Sequence, residues 1–92
     1  MNSDKPKVAF VCIGNACRSQ MAEGFAKTYG ADVMEPSSAG MFPAVAVPVE
    51  TRRIMLEKNI DISEHFPKPF RLYPSNYFDL VVNMSGLPVE GH

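Results

Sequence analysis

Residues 7–19 read KVAFVCIGNACRS and contain the strongest structural signal in the chain. The first half is a near-continuous apolar run rich in β-branched residues, which is typical of a parallel strand covered on both faces. Gly14 and Asn15 end the run, and both residue types tolerate a positive φ. A helix is then predicted over residues 18–29, with Gly30 after its last turn. Apolar residues at helical spacing predict its packed face, which comprises Ala22, Phe25, Ala26 and Tyr29.

The rest of the chain predicts two further strands and a second helix. Residues 31–39 form a weaker strand, and Pro36 places it at a sheet edge because proline cannot donate a ladder hydrogen bond. The second helix begins at Pro48 and runs to about residue 59. Its predicted packed face comprises Val49, Leu56 and Ile60. Residues 77–84, YFDLVVNM, read as a third, buried strand. This alternation of strands and helices predicts a three-layer α/β/α fold with a parallel sheet.

Length and charge limit the class of protein. The 92 residues suffice for a single domain over residues 1–92. A net charge of −1 gives no reason to expect binding to nucleic acid or to an anionic membrane. The first apolar run is far shorter than the roughly 18 residues of a membrane span, and no export signal is visible. The cytoplasm is therefore the expected location.

The two cysteines indicate reduced thiols. Cys12 and Cys17 lie too close together for a structural disulfide that joins distant segments. The histidines, His65 and His92, are remote from both in the sequence, so we expect no metal site. We also expect no cofactor.

The loop after the first strand has the composition of an oxyanion site. Five residues separate Cys12 from Arg18, which is enough to wrap backbone N–H groups around a tetrahedral anion at a helix start. The same field favours a thiolate at Cys12, and the planar Arg18 side chain can hold two anion oxygens. Ser19 can donate a hydrogen bond to the sulfur. Cys12, Arg18 and Ser19 are the predicted catalytic residues, and the predicted phosphate-binding residues are Ile13, Gly14, Asn15, Ala16, Cys17 and Arg18.

Residues 11–19, VCIGNACRS, resemble the signature loop of the low-molecular-weight protein tyrosine phosphatases and of the arsenate reductases that share their fold. The resemblance continues in order through SAG at 38–40, NIDISEH at 59–65 and FDLVVNM at 78–84. It implies the phosphotyrosine protein phosphatase I-like fold. It also implies a covalent phospho-cysteine or arseno-cysteine on Cys12 and a loop propped by Asn15.

Two residues have alternative interpretations at this point. By the resemblance, Cys17 traps Cys12 as a reversible disulfide under oxidation, and otherwise Cys17 is a small packed residue. His65 is a candidate acid or base, but one histidine in an irregular segment is more often a cap or surface residue. We therefore leave His65 out of the predicted site.

The chain departs from the phosphatase pattern at its C-terminal end. The phosphatases carry a general acid in an Asp-Pro motif well beyond the third strand, whereas Glu90 is the carboxylate side chain that follows Met84 here. Loss of a general acid costs about 10²–10⁴ in rate. We therefore expect a domain that is incomplete at the C-terminus, lacking the last strand and helix. Its third strand would be an apolar edge through which copies could self-associate.

The expected function is hydrolysis of phosphoric monoesters, with a phosphorylated protein or a small aryl phosphate as substrate. Met41 and Phe42 are either an apolar wall for a phenyl ring or ordinary loop packing. The alternative is an arsenate reductase, because residues 20–24, QMAEG, resemble that branch. Ser85 stands where the thioredoxin-linked reductases have a second redox cysteine, so this alternative needs an external thiol unless Cys17 substitutes. A catalytically weak module that binds an oxyanion or phosphotyrosine is the alternative outside enzymes.

Overall fold

The computed structural model describes residues 5–86 and shows a three-stranded parallel sheet with helices. The elements in chain order are β1 Lys7–Cys12, α1 Arg18–Tyr29, β2 Glu35–Gly40, α2 Val49–Glu57, a 3₁₀ helix Phe70–Leu72 and β3 Leu80–Asn83. The strand order is β2-β1-β3, and both pairings are parallel. The predicted parallel α/β fold is confirmed.

The first predicted strand is the centre of the sheet. Val11 of β1 pairs with Ala39 on one side and Asn83 on the other, and Ala9 and Val11 are fully buried. β2 and β3 are the outer strands of the part of the sheet that the structure describes. The placement of Pro36 in an edge strand is therefore confirmed.

The two faces of the sheet are covered by different elements. Alternate residues of a strand point to opposite faces, so the side chains of Ala9 and Val11 share one face. That face packs against Phe70 of the 3₁₀ helix, together with Tyr73 and Phe78. The opposite face, which carries Cys12 and Ser38, packs against α1. The sheet therefore lies between α1 and the aromatic segment that precedes β3.

The packed face of α1 differs from the prediction. The buried residues are Ser19, Gln20, Glu23 and Gly24. Phe25 and Tyr29 are exposed, and their rings stack on each other at 6.3 Å between centroids. The physical reason is hydrogen bonding, since Ser19 bonds to Cys12 and Glu23 bonds to Ser38 of the sheet. These two contacts turn the polar stripe of the helix inward.

The predicted face of α2 is also wrong in part. Thr51 and Met55 are its buried residues, whereas Val49 and Leu56 are exposed. A Cβ at Gly24 of α1 would lie 2.8 Å from the Cε of Met55, so glycine permits the close approach of this side chain. Ile60 is buried as predicted, although it follows the helix end.

Three predicted boundaries move inward. β2 begins at Glu35 because the N–H groups of Val33 and Met34 donate to the carbonyl of Gly30 in a turn. α2 ends at Glu57, before the positive φ of 62° at Asn59. β3 is four residues long and is only partly buried because it is an outer strand. Of the residues in 5–86, none forms a helix long and apolar enough to cross a membrane.

A carboxylate is buried between α1 and β2. The Ser38 hydroxyl donates to Oε1 of Glu23 at 2.5 Å, and Lys27 Nζ lies 2.7 Å from the other carboxylate oxygen. His65 Nδ1 and Lys68 Nζ each lie 3.9 Å from Glu23 Oε1. Burial raises the pKa of the Glu23 carboxyl, but the hydrogen bonds from Lys27 and Ser38 and the charge of Lys68 outweigh it, so the pKa lies below its ordinary value.

We predict that Glu23→Gln lowers the free energy of unfolding at neutral pH by about 1–3 kcal/mol, because it removes a buried charge that has partners. A carboxyl whose pKa is lowered by folding contributes stability above its unfolded pKa, which is about 4.3 for glutamate. That contribution is lost as the pH falls through the lower pKa of the folded state. Urea unfolding of both proteins across this range should therefore show a difference that shrinks in acid. A difference independent of pH would contradict the assignment of a stabilised Glu23 carboxylate.

Candidate active site

The predicted oxyanion loop joins the carboxyl end of β1 to the first turn of α1. Ligands of parallel α/β folds bind at this edge of the sheet. Cys12, the last residue of β1, is 5% exposed, while Arg18, the first residue of α1, is exposed. The N–H groups of the first helical turn, which have no partners within the helix, and the helix dipole favour an anion here. The loop geometry thus places a buried sulfur and an exposed arginine at one helix start.

The Cys12 sulfur is surrounded by hydrogen-bond donors. It lies 2.9 Å from the Ser19 hydroxyl and accepts a hydrogen bond from the Asn15 N–H at 3.1 Å. Burial raises the pKa of the Cys12 thiol, but the Ser19 hydroxyl and the N–H groups of Ser19, Asn15 and Ala16 outweigh burial. The net pKa of the thiol is therefore lowered, which favours the nucleophilic thiolate.

Asn15 connects the loop to its surroundings through both ends of its amide. Its φ is 51°, in the left-handed region that asparagine tolerates. Oδ1 accepts from the Lys68 N–H at 2.7 Å, so Nδ2 is the end that donates to the Ser19 hydroxyl at 2.8 Å. With its oxygen accepting from Asn15, the Ser19 hydroxyl is oriented to donate its hydrogen to Cys12 Sγ.

Three carbonyl groups of the oxyanion loop accept hydrogen bonds from the loop that follows β2. Cys12 O, Ile13 O and Gly14 O accept from the N–H groups of Met41, Phe42 and Ala44 at 3.0, 2.7 and 2.8 Å. Gly40 makes this contact possible. A Cβ at Gly40 would lie 2.9 Å from Asn15 N and 2.9 Å from Ile13 O, closer than real Cβ contacts allow.

The carbonyl of Asn15 is served by a side chain that the sequence did not single out for the site. Gln20 is fully buried, and its Nε2 donates to Asn15 O and to Phe66 O, both at 3.0 Å. Gln20 Oε1 lies 2.9 Å from His65 Nδ1. The available sequence signal for Gln20 was a polar residue directly after Ser19. The spacing of the apolar residues in α1 instead predicted that the opposite face of the helix is buried.

His65 was expected at the surface or as a cap, and that expectation is wrong. It is half-buried against Gln20, and Glu23 lies nearby. Burial is the main cause that lowers the pKa of the imidazole, although the charge of Glu23 opposes it. His65 therefore contacts the loop only through Gln20. Among the described residues, the side chain that hydrogen-bonds to Cys12 is Ser19, not His65.

The remaining predicted residues lie around this core. Cys17 is exposed as a free thiol, with Sγ 3.2 Å from the Thr51 hydroxyl of α2, and its redox role stays a prediction. Met41 packs against the core beneath the sheet, while Phe42 is 70% exposed beside the loop. In the described range 5–86, no group of three His, Cys, Asp or Glu side chains is placed to hold a metal ion.

The family model described as "Low molecular weight phosphotyrosine protein phosphatase" matches residues 7–90. The chain belongs to this family. A curated relative, the glutaredoxin arsenate reductase of Synechocystis sp., is 41% identical over 84 residues, which are 91% of this chain and 63% of that protein. The arsenate reductase of Shouchella clausii is 42% identical over 82 residues, covering 89% of this chain and 58% of the relative.

Solved structures of the low-molecular-weight phosphatase fold agree with the sequence match. A structure described as "An arsenate reductase in the phosphate binding state" has a TM-score of 0.82 at 40% identity, covering 91% of this chain and 63% of the other. The low-molecular-weight protein tyrosine phosphatase from T. tengcongensis has a TM-score of 0.75 at 37% identity, covering 87% and 58%. The chain thus spans less than two thirds of the length of these relatives.

We predict that Ser19→Ala raises the pKa of the Cys12 thiol towards the ordinary value of about 8.5, because the sulfur loses its side-chain donor. Alkylation of Cys12 by iodoacetamide at about pH 6 should then slow by about tenfold, as expected for one hydrogen bond to a charged group. The rate is read on the Cys12 peptide by mass spectrometry, because Cys17 is an exposed thiol.

Thr28→Ala is the matched control, since it removes an exposed hydroxyl from the same helix. Its pH profile should coincide with that of the unchanged protein. A Ser19→Ala profile that also coincides would show that the Ser19 hydroxyl does not stabilise the thiolate.

Proposed function

We propose that this chain supplies the nucleophile-bearing oxyanion site of an arsenate reductase. The observation that supports this proposal most directly is the buried Cys12 sulfur. It receives hydrogen bonds from the Asn15 N–H and the Ser19 hydroxyl at the start of α1. The sequence favoured a protein tyrosine phosphatase and held the reductase as its alternative. The curated relatives named above are arsenate reductases, which supports the alternative better.

Anion binding alone does not separate the two activities. Arsenate and phosphate are both tetrahedral oxyanions, and a similar structure is described as a reductase in a phosphate-binding state. A loop of inward N–H groups beside Arg18 suits either ion. The distinction lies in what happens to the cysteine adduct after the first step.

The proposed reaction consumes two thiols for each arsenate. The Cys12 thiolate attacks arsenic(V), a sulfur–arsenic bond forms, and one arsenic–oxygen bond breaks with loss of water after protonation. An external thiol then attacks the Cys12 sulfur, the sulfur–arsenic electron pair goes to arsenic, and arsenite leaves. A second external thiol releases Cys12 from the resulting mixed disulfide. Arsenic gains two electrons, and the two external thiols become one disulfide.

The source of the second thiol is proposed to be external. The chain contains two cysteines, Cys12 and Cys17, and Ser85 stands at the position where the resemblance places a further redox cysteine. The name of the Synechocystis relative couples glutaredoxin with arsenate reductase, which supports a glutathione-type thiol and a glutaredoxin-type protein as reductants. Free thiols at Cys12 and Cys17 suit a reducing compartment, so we place the protein in the cytoplasm.

A tyrosine phosphatase is the second candidate. Phe42 is exposed beside the oxyanion loop, and its backbone contacts Ile13. An exposed aromatic side chain at this place can pack against a phenyl ring, whereas arsenate has no apolar part to contact it. In the phosphatase, water would attack the phospho-cysteine and return Cys12 unchanged.

We predict arsenate-dependent consumption of glutathione in the presence of glutaredoxin, and its loss in Cys12→Ser. Oxidised glutathione is measured by its coupled reduction, and arsenite is measured separately, with one disulfide expected for each arsenite. Thr28→Ala serves as the surface control. An activated aryl phosphate is tested in parallel. Hydrolysis that depends on Cys12, without arsenite production, would reject the reductase in favour of the phosphatase.

A further inference from the structure

The Gln20 side chain donates a hydrogen bond to a loop carbonyl for which the structure shows no backbone donor. Of the four carbonyls from Cys12 to Asn15, the first three accept hydrogen bonds from backbone N–H groups of residues 41–44. The carbonyl of Asn15 accepts from the Gln20 side chain instead. A buried carbonyl without a donor is costly, so this peptide depends on one side chain for its orientation.

The orientation of the Asn15 carbonyl also fixes the direction of the next N–H group, that of Ala16. The C=O of Asn15 and the N–H of Ala16 belong to one planar trans peptide, so they point in opposite directions. The Asn15 N–H on the preceding peptide donates to the Cys12 sulfur at 3.1 Å, and the Ala16 N–H also contributes to the lowered pKa of the Cys12 thiol. Holding Asn15 O outward therefore keeps the Ala16 N–H directed inward.

We propose that Gln20 is a positioning residue that sets the plane of the peptide between Asn15 and Ala16. It thereby keeps the Ala16 N–H inside the loop, next to the Asn15 N–H that donates to the Cys12 sulfur. The role concerns the nucleophile of the proposed function and so rests on that function. Gln20 itself does not touch the sulfur; it acts through the loop.

His65 orients the Gln20 amide. Nε2 of Gln20 must face the carbonyls of Asn15 and Phe66, because only the nitrogen end can donate to them. The oxygen end then accepts from His65 Nδ1, which carries a hydrogen in this arrangement. Nδ1 donates in both the charged imidazole and this neutral tautomer, so the contact persists when the ring titrates.

The hydrogen bonds that Gln20 donates should not depend on pH, although charged groups lie near it. The charges of Glu23, Lys27, Lys68 and Asp61 act on His65, and Glu23 lies close to both Lys27 and Lys68. Gln20 is neutral, and its two donor bonds end on backbone carbonyls. Its effect should therefore appear as a displaced Cys12 titration and weaker anion binding, with no new titration of its own.

The test is Gln20→Met, which keeps an unbranched side chain of similar length but has no N–H to donate. Two quantities are measured on the full chain: the pH profile of Cys12 alkylation by iodoacetamide, and the Kd of inorganic phosphate by calorimetry. We expect alkylation at about pH 6 to slow by about 3- to 10-fold and phosphate to bind about 3- to 10-fold more weakly. Neither readout requires arsenate turnover, so failure of the reductase proposal remains distinguishable from failure of this one.

Ile62→Val is the control for general destabilisation, because it removes one buried methyl group from the cluster around Met55. It should lower the melting temperature and leave both readouts unchanged. Should Gln20→Met fail to fold, His65→Leu decides the matter, since it keeps Gln20 but removes the group that orients its amide. A smaller loss in the same direction supports the proposal. A folded Gln20→Met, or failing that a folded His65→Leu, with unchanged alkylation and phosphate binding would overturn it.

Discussion

Turning the N–H groups of a loop towards an anion turns its carbonyl groups away from it, and each carbonyl then needs a donor. Residues 12–15 meet this constraint with three backbone N–H groups from residues 41–44 and one side chain, Gln20. This need for donors places residues 41–44, which follow β2, against the oxyanion loop. It also requires glycine at position 40, where a Cβ would collide with Ile13 and Asn15. The inward polar stripe of α1 has the same origin, because Ser19 and Gln20 must both reach the loop.

The polar contacts behind the loop continue into a second cluster around Glu23. The segment after α2 contributes the Lys68 N–H to Asn15 and the Phe66 carbonyl to Gln20. The same segment brings the Lys68 ammonium near Glu23, whose carboxylate accepts from Ser38 of β2. Every buried side-chain nitrogen or oxygen atom in the described residues has a hydrogen-bond partner. Such satisfied networks specify one arrangement of a core more strictly than apolar packing alone.

The sequence predicted the parallel sheet and α1 because local signals were strong. A buried strand, a loop with Asn15 at positive φ and an adjacent helix start are readable from neighbouring residues. The family resemblance carried the fold further than periodicity did. The Cys12–Ser19 contact was readable too, since it occurs between residues joined by one loop.

The packed faces of the helices were not readable in the same way. Phe25 and Tyr29 are exposed, although their spacing favours packing, because the contacts of Ser19 and Glu23 with the sheet fix the rotation of α1. The place of His65 depends on contact with Gln20, 45 positions away in sequence. Long-range polar pairing of this kind leaves no local pattern, so His65 was predicted to be a cap or surface residue.

We propose that residues 12–18 form a cradle whose N–H groups hold a tetrahedral oxyanion against Cys12. Titration of ¹⁵N-labelled protein with inorganic phosphate, followed by backbone amide shifts, tests this claim most directly. We expect saturable shifts concentrated at residues 13–19, similar shifts at the same residues with arsenate, and weaker phosphate binding in Arg18→Ala. Shifts that leave residues 13–19 unaffected while the protein is folded would contradict the assignment of the oxyanion site.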